Sequence, residues 1–257
     1  GKYGGFGRST RMIGRELVKR GHEVVAVVPR RGDQKPVEWL DGIKVLGFER
    51  HNPFSSIRLY RQADADIYHS EEPSFGTFLA QFAMPNRKHM VTFRDTRTFH
   101  DWWIEFRYPS KHKLQVIANI LYEDNFLVAK AVRKADKLCA ASKMLITKAP
   151  QKYHISNKQV TFLPSPVPFL ETIQKQETPL VCFLGRFDRR KQPSKFFELA
   201  KYFPDVHFIA IGTGQDSSWQ KKILKQYNHQ KNLEFSGFIN QFRGDGVIDI
   251  LSRSWIL

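Results

Sequence analysis

Cysteine is scarce in this sequence. Its 257 residues include only two cysteines, Cys139 and Cys182, and both lie inside apolar runs that are typical of strands. Two cysteines cannot build a disulfide framework or a zinc site of the usual spacing. We therefore expect a protein of a reducing, cytoplasmic setting and predict no metal site.

Long hydrophobic runs are also missing. No apolar run approaches the roughly 18 residues that a membrane-spanning helix needs, and the first residues show no signal-peptide pattern. Any contact with a membrane is therefore expected to be peripheral, at the inner membrane face.

Acidic residues are too few to balance the basic ones. Lys and Arg number 41 against 25 Asp and Glu, which leaves a formal net charge of +16. Such an excess favours anionic partners, and it does not choose among nucleic acid, an anionic lipid surface and phosphorylated small molecules.

What the sequence does contain is a regular alternation of short apolar runs with helical periods. This pattern is typical of α/β units around parallel sheets, and we predict β-α-β order throughout, with one long helix at about 114–136. The proline-rich segment 164–169 (PSPVPF) predicts a linker. The sequence thus predicts two Rossmann-like domains, residues 1–165 and 166–257. Both ends of the sequence have the pattern of a truncated chain, so we expect the second domain to be incomplete.

The turn LGRFDRRKQP (184–193) joins a predicted strand to a predicted helix. Ligands of open α/β sheets bind at the carboxyl ends of strands, and a helix N-terminus favours phosphate. Arg186 offers a fork of donors and Lys191 a point charge, so both are predicted to meet an anion. Asp188, Arg189 and Arg190 are interpreted as spacer and solvated surface.

Glycine turns follow the next two strands of the second domain. In AIGTGQD (210–216), Gly212 and Gly214 free the backbone for close approach to a ligand. In LEFSGFI (233–239), Ser236 and Gly237 lie at a third strand end. Three neighbouring strand ends with glycine favour one shared binding site.

The first domain opens on a glycine-rich turn of its own, YGGFGRST (3–10). It lacks the third glycine of the dinucleotide fingerprint, since Thr10 stands there, and no acidic residue ends the following strand. Dinucleotide oxidoreduction is therefore disfavoured.

The segment 92–113 (TFRDTRTFHDWWIEFRYPSKHK) mixes aromatic with basic residues. Such a mixture suits an anionic membrane interface, a phosphorylated ligand or stacked bases. The alternative is a helical lid whose tryptophans pack on the domain.

The order of these segments resembles the group-1 (family 4) glycosyltransferases, which have the GT-B architecture of two Rossmann-like domains facing a cleft. The likeness covers nearly the whole chain. It rests on FLGRFDRRKQPSKFFELAKYFPDVHFIAIGTG with LEFSGFI, on GGFGRSTRMIGRELVKRGHEVVAVVP, and on ADKLCAASKMLITKAPQKY with QVTFLPSPV.

The resemblance implies a retaining enzyme that moves a sugar from a nucleotide diphosphate sugar to an acceptor, with no required metal or other cofactor. The acceptor is expected to be a sugar or a lipid-linked or cell-envelope glycan. Arg186 and Lys191 match the family's diphosphate pair. The donor is expected at a set of loop residues: Gly4, Gly5, Gly185, Gly212, Gly214, Ser236, Gly237 and Phe238.

On the acceptor side, this sequence differs from many members of the family at one position. Many members carry His-Asp after the strand that matches MVTF, and here Arg94 and Asp95 stand there. We assign the catalytic role to Arg94 with His100, and either His69 or His100 could substitute for the missing histidine. His69, Glu71 and Asp95 are predicted to face the acceptor.

Two alternatives stay open. The family's acidic E-x7-E motif would follow the last residue given, so this piece is expected to bind donor poorly and a non-catalytic relative is one alternative. A nucleic-acid-binding α/β protein is the other, although no helix-turn-helix, zinc finger or RNP-like run supports it.

Overall fold

The computed structural model describes residues 5–110, 112–167, 173–240 and 246–257. The chain forms two compact units. Unit 1 is Gly1–His100 with Ile117–Val167, and unit 2 is Asp101–Val116 with Pro168–Leu257. Residues 101–116, which fall within the predicted first domain, thus belong to the second unit.

The helices and strands before residue 167 are, in chain order, α1 (Gly5–Lys19), β1 (Val25–Pro29), β2 (Val37–Leu40), β3 (Ile43–Phe48), α2 (Ser56–Ala63), β4 (Ile67–Ser70), α3 (Phe75–Ala83), β5 (Lys88–Phe93), α4 (Phe99–Arg107), α5 (Lys113–Glu123), α6 (Phe126–Lys134), β6 (Lys137–Ala140), α7 (Lys143–Tyr153) and β7 (Val160–Phe162). The later ones are β8 (Leu180–Leu184), α8 (Pro193–Tyr202), β9 (His207–Ile211), α9 (Ser217–Tyr227), β10 (Leu233–Gly237) and α10 (Gly246–Arg253).

Unit 1 contains one sheet that departs from the predicted β-α-β order. Its strand order is β1-β3-β2, and β2 runs antiparallel to β3. Asp41 and Gly42 join these two strands, and both have positive φ, as a two-residue hairpin turn requires. The prediction of β-α-β order throughout is therefore wrong here, because the Asp-Gly signal of a hairpin was overlooked.

The other sheet of unit 1 is parallel in the order β4-β5-β6-β7. Its core packs Val91 and Phe93 of β5 against Val132 of α6 and Leu145 of α7, all of them buried. This sheet brings the carboxyl ends of β4 and β5 side by side, which positions the polar residues that follow them.

The long helix predicted at 114–136 is two helices, α5 and α6. Asn125 breaks it, because the side-chain Oδ1 accepts hydrogen bonds from the backbone N–H groups of Leu127 (2.9 Å) and Val128 (3.1 Å). This is an N-cap, which begins a new helix rather than continuing the old one.

Unit 2 is built on a parallel sheet in the order β10-β9-β8. Ile256 adds a bridge to Val181 at the β8 edge. Phe197 of α8 is fully buried against Phe187, Phe208 and Tyr227. The strand ends that carry the predicted donor residues therefore stand on one packed layer.

Two further observations concern the described part of the chain. Both cysteines are buried and free, and burial raises the pKa of Cys182 to about 11. Within those residues no helix has the length and apolar character needed to span a bilayer.

Candidate functional site

The ends of the three strands of unit 2 adjoin one another. The backbone N–H of Gly185 donates to Ile211 (3.0 Å), that of Phe187 to Thr213 (3.1 Å), and that of Gly212 to Gly237 (2.8 Å). The structure thus brings the three glycine-bearing turns together, as the sequence predicts for one shared site.

Two glycines of these turns are required by packing between the turns themselves. Gly212 has φ +146°, and a Cβ there would overlap the carbonyl oxygen of Gly185. A Cβ on Gly214 would overlap the carbonyl oxygen of Phe187. The sequence predicts that these glycines allow the close approach of a ligand. In the structure, the backbone of the neighbouring turn lies in that space.

Asp188 anchors the basic turn, so its interpretation as solvated spacer is wrong. The residue is 4% exposed. Its Oδ1 accepts from the backbone N–H of Lys191 (3.0 Å), and its Oδ2 lies 3.2 Å from Nη2 of Arg186. Ser110 Oγ donates to the same carboxylate at 3.4 Å. A buried aspartate therefore holds both predicted diphosphate residues in one turn.

Arg189 is exposed, as its interpretation as solvated surface expects, whereas Arg190 is half-buried. Arg189 Nη1 lies 3.1 Å from Asp216 Oδ2, and its guanidinium lies over the Trp219 ring. Arg190 Nη1 lies 3.2 Å from Oε2 of Glu105, a buried residue of α4. Each of these arginines therefore has an acid within ion-pair distance, as Arg186 has in Asp188.

Two cations of the turn are predicted to meet a ligand, Arg186 and Lys191, and both are exposed. Arg186 is half exposed and shares the Asp188 carboxylate. Lys191 is exposed, and its ammonium has no ion-pair partner among the described residues. The turn ends at Pro193, the first residue of α8. Exposed cations before a helix N-terminus are suited to phosphate.

The remaining predicted donor residues are divided between unit 2, unit 1 and the part of the chain outside the described residues. Ser236 and Gly237 end β10, and Phe238, which follows, is 53% exposed. Gly5 begins α1 in unit 1. Gly4 lies outside the described residues.

In unit 1, a cleft of about 270 Å³ opens beside the first turn of α1. Gly5, Arg8 and Ser9 line one part of it, and Arg94 and Ser165 line another. Arg8 and Ser165 were missed by the sequence interpretation, because Ser165 was assigned to a linker and Arg8 had no motif of its own.

Arg94 is the centre of a polar cluster. Its side chain is 3% exposed and is held by Glu71, with Nε donating at 2.6 Å, and by Ser165, with Nη1 donating at 2.6 Å. Its backbone N–H donates to Oε2 of Glu72 (2.6 Å), as does that of Asp95 (2.8 Å). Arg94 is thus oriented from several sides, which favours a positioning role.

His69 belongs to the same cluster. Its Nε2 lies 2.7 Å from Thr92 Oγ1, and its Nδ1 lies 3.3 Å from Oε1 of Glu71. Burial lowers the pKa of His69, although Glu71 opposes the shift. Burial also raises the pKa of Glu72 to about 7, against the two backbone hydrogen bonds that favour its anion. A carboxyl that titrates near neutrality is a candidate functional group.

The other acceptor-side residues lie further along the chain. Asp95 is exposed and lies 2.9 Å from Nη2 of Arg97. His100 is exposed on the first turn of α4. In the same helix, Trp102 is buried and Trp103 is half exposed, with the Arg107 guanidinium 5.3 Å from its ring centroid.

Comparison with solved structures shows the fold. The catalytic domain of Starch Synthase IV from Arabidopsis thaliana, bound to ADP and acarbose, has a TM-score of 0.61 at 12% identity, over 98% of this chain and 73% of that one. The lipopolysaccharide outer core galactosyltransferase WaaB in its apo form gives 0.55 at 11%, over 91% and 72%. HepE of Anabaena, in complex with UDP and glucose, gives 0.54 at 12%, over 85% and 70%. The predicted Rossmann-like α/β fold is confirmed.

Comparison by sequence shows the family. No curated protein sequence matches the chain significantly. The family model described as Glycosyltransferase Family 4 matches residues 3–169, and the model described as Glycosyl transferases group 1 matches residues 170–256. The chain therefore belongs to glycosyltransferase family 4 and, in its second part, to the group-1 glycosyl transferases, as the sequence motifs predict.

Proposed function

We propose that the protein moves a sugar from a nucleotide diphosphate sugar to an acceptor, with retention at the anomeric carbon and without a metal. The observation that carries this proposal is the basic turn of unit 2. There, Arg186 has 45% of its side chain exposed, and Lys191 has no ion-pair partner among the described residues; both place cationic groups beside two other strand ends.

The chemistry needs cations at this place. When the bond between the anomeric carbon and the diphosphate breaks, the electron pair stays on the diphosphate. Positive groups that are already in position stabilise this charge more in the transition state than in the bound donor. Arg186 and Lys191 are held in position by Asp188, so they are suited to this role.

The finer parts of the proposal concern the acceptor and the cellular setting. We assign the acceptor side to the cluster of His69, Glu71, Arg94 and Asp95 in unit 1 and propose a sugar or a lipid-linked or cell-envelope glycan as acceptor. The excess of basic residues and the two free, buried cysteines support a cytoplasmic enzyme that works at the inner face of a membrane.

The test begins with a thermal-shift panel of UDP, GDP, ADP and CDP, since a bound nucleotide stabilises the folded state. The matching nucleotide sugar is then used in a transfer and hydrolysis assay on Arg186→Ala and Lys191→Ala. Loss of one group that stabilises transition-state charge is expected to lower kcat by about 10²–10³-fold.

Arg189→Ala is the matched control, because it removes an exposed cation of the same turn that pairs with Asp216 rather than with Asp188. Its turnover is expected to stay within about threefold of the unmodified protein. Unchanged turnover in both Arg186→Ala and Lys191→Ala would contradict the assignment. Stabilisation by a nucleotide without turnover of any nucleotide sugar would favour the non-catalytic alternative.

A further inference from the structure

Helix α3 turns its aromatic residues away from the core. The sequence pattern places Phe75, Phe78, Leu79 and Phe82 on one side. Of these only Leu79 is buried, and Phe82 is 59% exposed. Ring contacts join these residues to one another and to Phe54, with centroid distances of 5.5 to 6.3 Å. An aromatic row therefore runs along the outer side of α3.

An apolar groove of about 440 Å³ continues this row. It lies between Phe75 of α3 and residues of α5 and α6, and the Tyr122 ring lies 6.3 Å from that of Phe75. Leu121 and Phe126, which line it, are 69% and 76% exposed. We call the surface formed by Phe54, Phe78, Phe82, Leu121 and Phe126 the aromatic face.

The charged residues of α2, α3 and α6, which adjoin this face, are all basic, whereas α5, which carries Leu121, ends on Glu123. The sequences of α2, α3 and α6 include no acid, and their exposed cations are Arg58, Arg61, Lys130, Arg133 and Lys134. On α6, three of the cations follow Phe126 by four, seven and eight residues, which is the spacing of one helix side.

Two acids close to this face, the last residue of α5 and the residue after it, are already paired with cations of the chain. Glu123 lies 3.4 Å from Arg97, and Asp124 lies 2.9 Å from Lys152. They therefore offset little of the positive charge beside the aromatic face.

We propose that the aromatic face docks on an anionic lipid bilayer. Exposed aromatic and leucine side chains among lysines and arginines can enter the interface while the cations meet the headgroups. A second copy of the chain is a poorer occupant, because a twofold interface sets the same patch against itself and would bring like charges together. The inference goes beyond the proposed transfer reaction, since docking needs neither donor nor the basic turn of unit 2.

The experiment is co-sedimentation of the protein, without donor, with vesicles of phosphatidylcholine alone or mixed with phosphatidylglycerol. Binding to the anionic vesicles is expected, and Phe82→Ser with Phe126→Ser should weaken it by about tenfold or more, because two inserting side chains are lost. Trp39→Ser with Tyr202→Ser removes two aromatic residues that are 66% and 70% exposed elsewhere, and it should leave binding unchanged.

A charge series tests the second part of the inference. Lys130→Glu with Lys134→Glu should weaken anionic binding more than Lys221→Glu with Lys222→Glu, which makes the same charge change on α9. Arg186→Ala should sediment as the unmodified protein does, so a failure of the transfer proposal would remain distinguishable.

Equal binding to both vesicle types would overturn the proposal, and so would full anionic binding by the double serine variant of the aromatic face. Analytical ultracentrifugation without lipid tests whether a second copy of the chain binds the aromatic face. A concentration-dependent dimer that the double serine variant abolishes would assign the face to a second copy instead.

Discussion

At the scale of single residues, the contribution of Glu72 to the stability of the fold depends on pH. Its pKa is raised to about 7 by burial, from an ordinary value of 4.5. The folded protein therefore binds more protons than the unfolded chain between these values. The contribution of Glu72 to stability is then largest below about pH 4.5 and is lost as pH rises towards 7.

We predict that Glu72→Gln removes this dependence. The amide oxygen can still accept from the N–H groups of Arg94 and Asp95, whereas it cannot ionise. Relative to the variant, the unmodified protein should lose about 2–3 kcal/mol of unfolding free energy between pH 4.5 and 7.5. Urea unfolding at several pH values measures this difference.

The quantity to measure is the difference in unfolding free energy between the unmodified protein and Glu72→Gln, because the stability contributed by His69 changes with pH in the opposite direction. Burial lowers its pKa, so its contribution rises with pH. Glu198→Gln, which changes an exposed glutamate of α8, is the control. A pH-independent difference between the unmodified protein and Glu72→Gln would refute the prediction.

The sequence motif predicts Arg186 and Lys191 as the residues that meet the diphosphate. Both are exposed in the structure, and their role stays a prediction. The burial of Asp188 could not be predicted in the same way. A charged run is normally solvated, and only the folding of the turn onto Ser110 and the strand ends buries this carboxylate.

At the scale of elements, the sequence predicted what depends on local pattern. The turn at 184–193 joins the strand β8 to the helix α8, as its pattern predicts. The outer aromatic row of α3 was not predicted as an exposed surface, because the same spacing is typical of a helix face that packs on a core.

Helix α4 offers an element-scale prediction, because Glu105 ties it to the basic turn through Arg190. The glutamate side chain is 7% exposed and that of the arginine 26%. Glu105→Gln leaves a partly buried guanidinium without its ionic partner, so we expect a loss of about 1–3 kcal/mol in unfolding free energy.

The matched control is Asp249→Asn, which breaks the exposed pair of Asp249 with Arg253 on α10 at 3.0 Å. Exposed pairs of this spacing contribute about 0.5 kcal/mol or less. Chemical denaturation of both variants gives the comparison. Equal losses would mean that the link between α4 and the basic turn contributes no more than a surface ion pair.

At the scale of the whole molecule, the division into units was the part least accessible from sequence. Proline at 164–169 marks a change of unit along the chain, and local composition is enough to find it. The assignment of Asp101–Val116 to unit 2 depends on contacts far apart in sequence, which no local pattern records.

Trp102 provides a test of that assignment. It is 5% exposed and lies on the part of α4 that belongs to unit 2. Trp102→Ala removes a large buried side chain, which typically costs about 3–5 kcal/mol. We predict that hydrogen exchange will increase in peptides covering α8 and β9 of unit 2, and far less in peptides covering β4 and β5 of unit 1.

Trp103→Ala separates this effect from a general loosening of α4. Trp103 is the next residue of the helix and is 48% exposed, so its removal should change exchange in unit 2 much less. The domain boundary predicted from sequence has the opposite consequence, because it assigns residue 102 to the first domain. Increased exchange confined to β4 and β5 in Trp102→Ala would therefore support the domain boundary predicted at residue 165. Increased exchange in α8 and β9 would instead mean that unit 2 includes a segment that lies more than fifty residues before the rest of it in sequence.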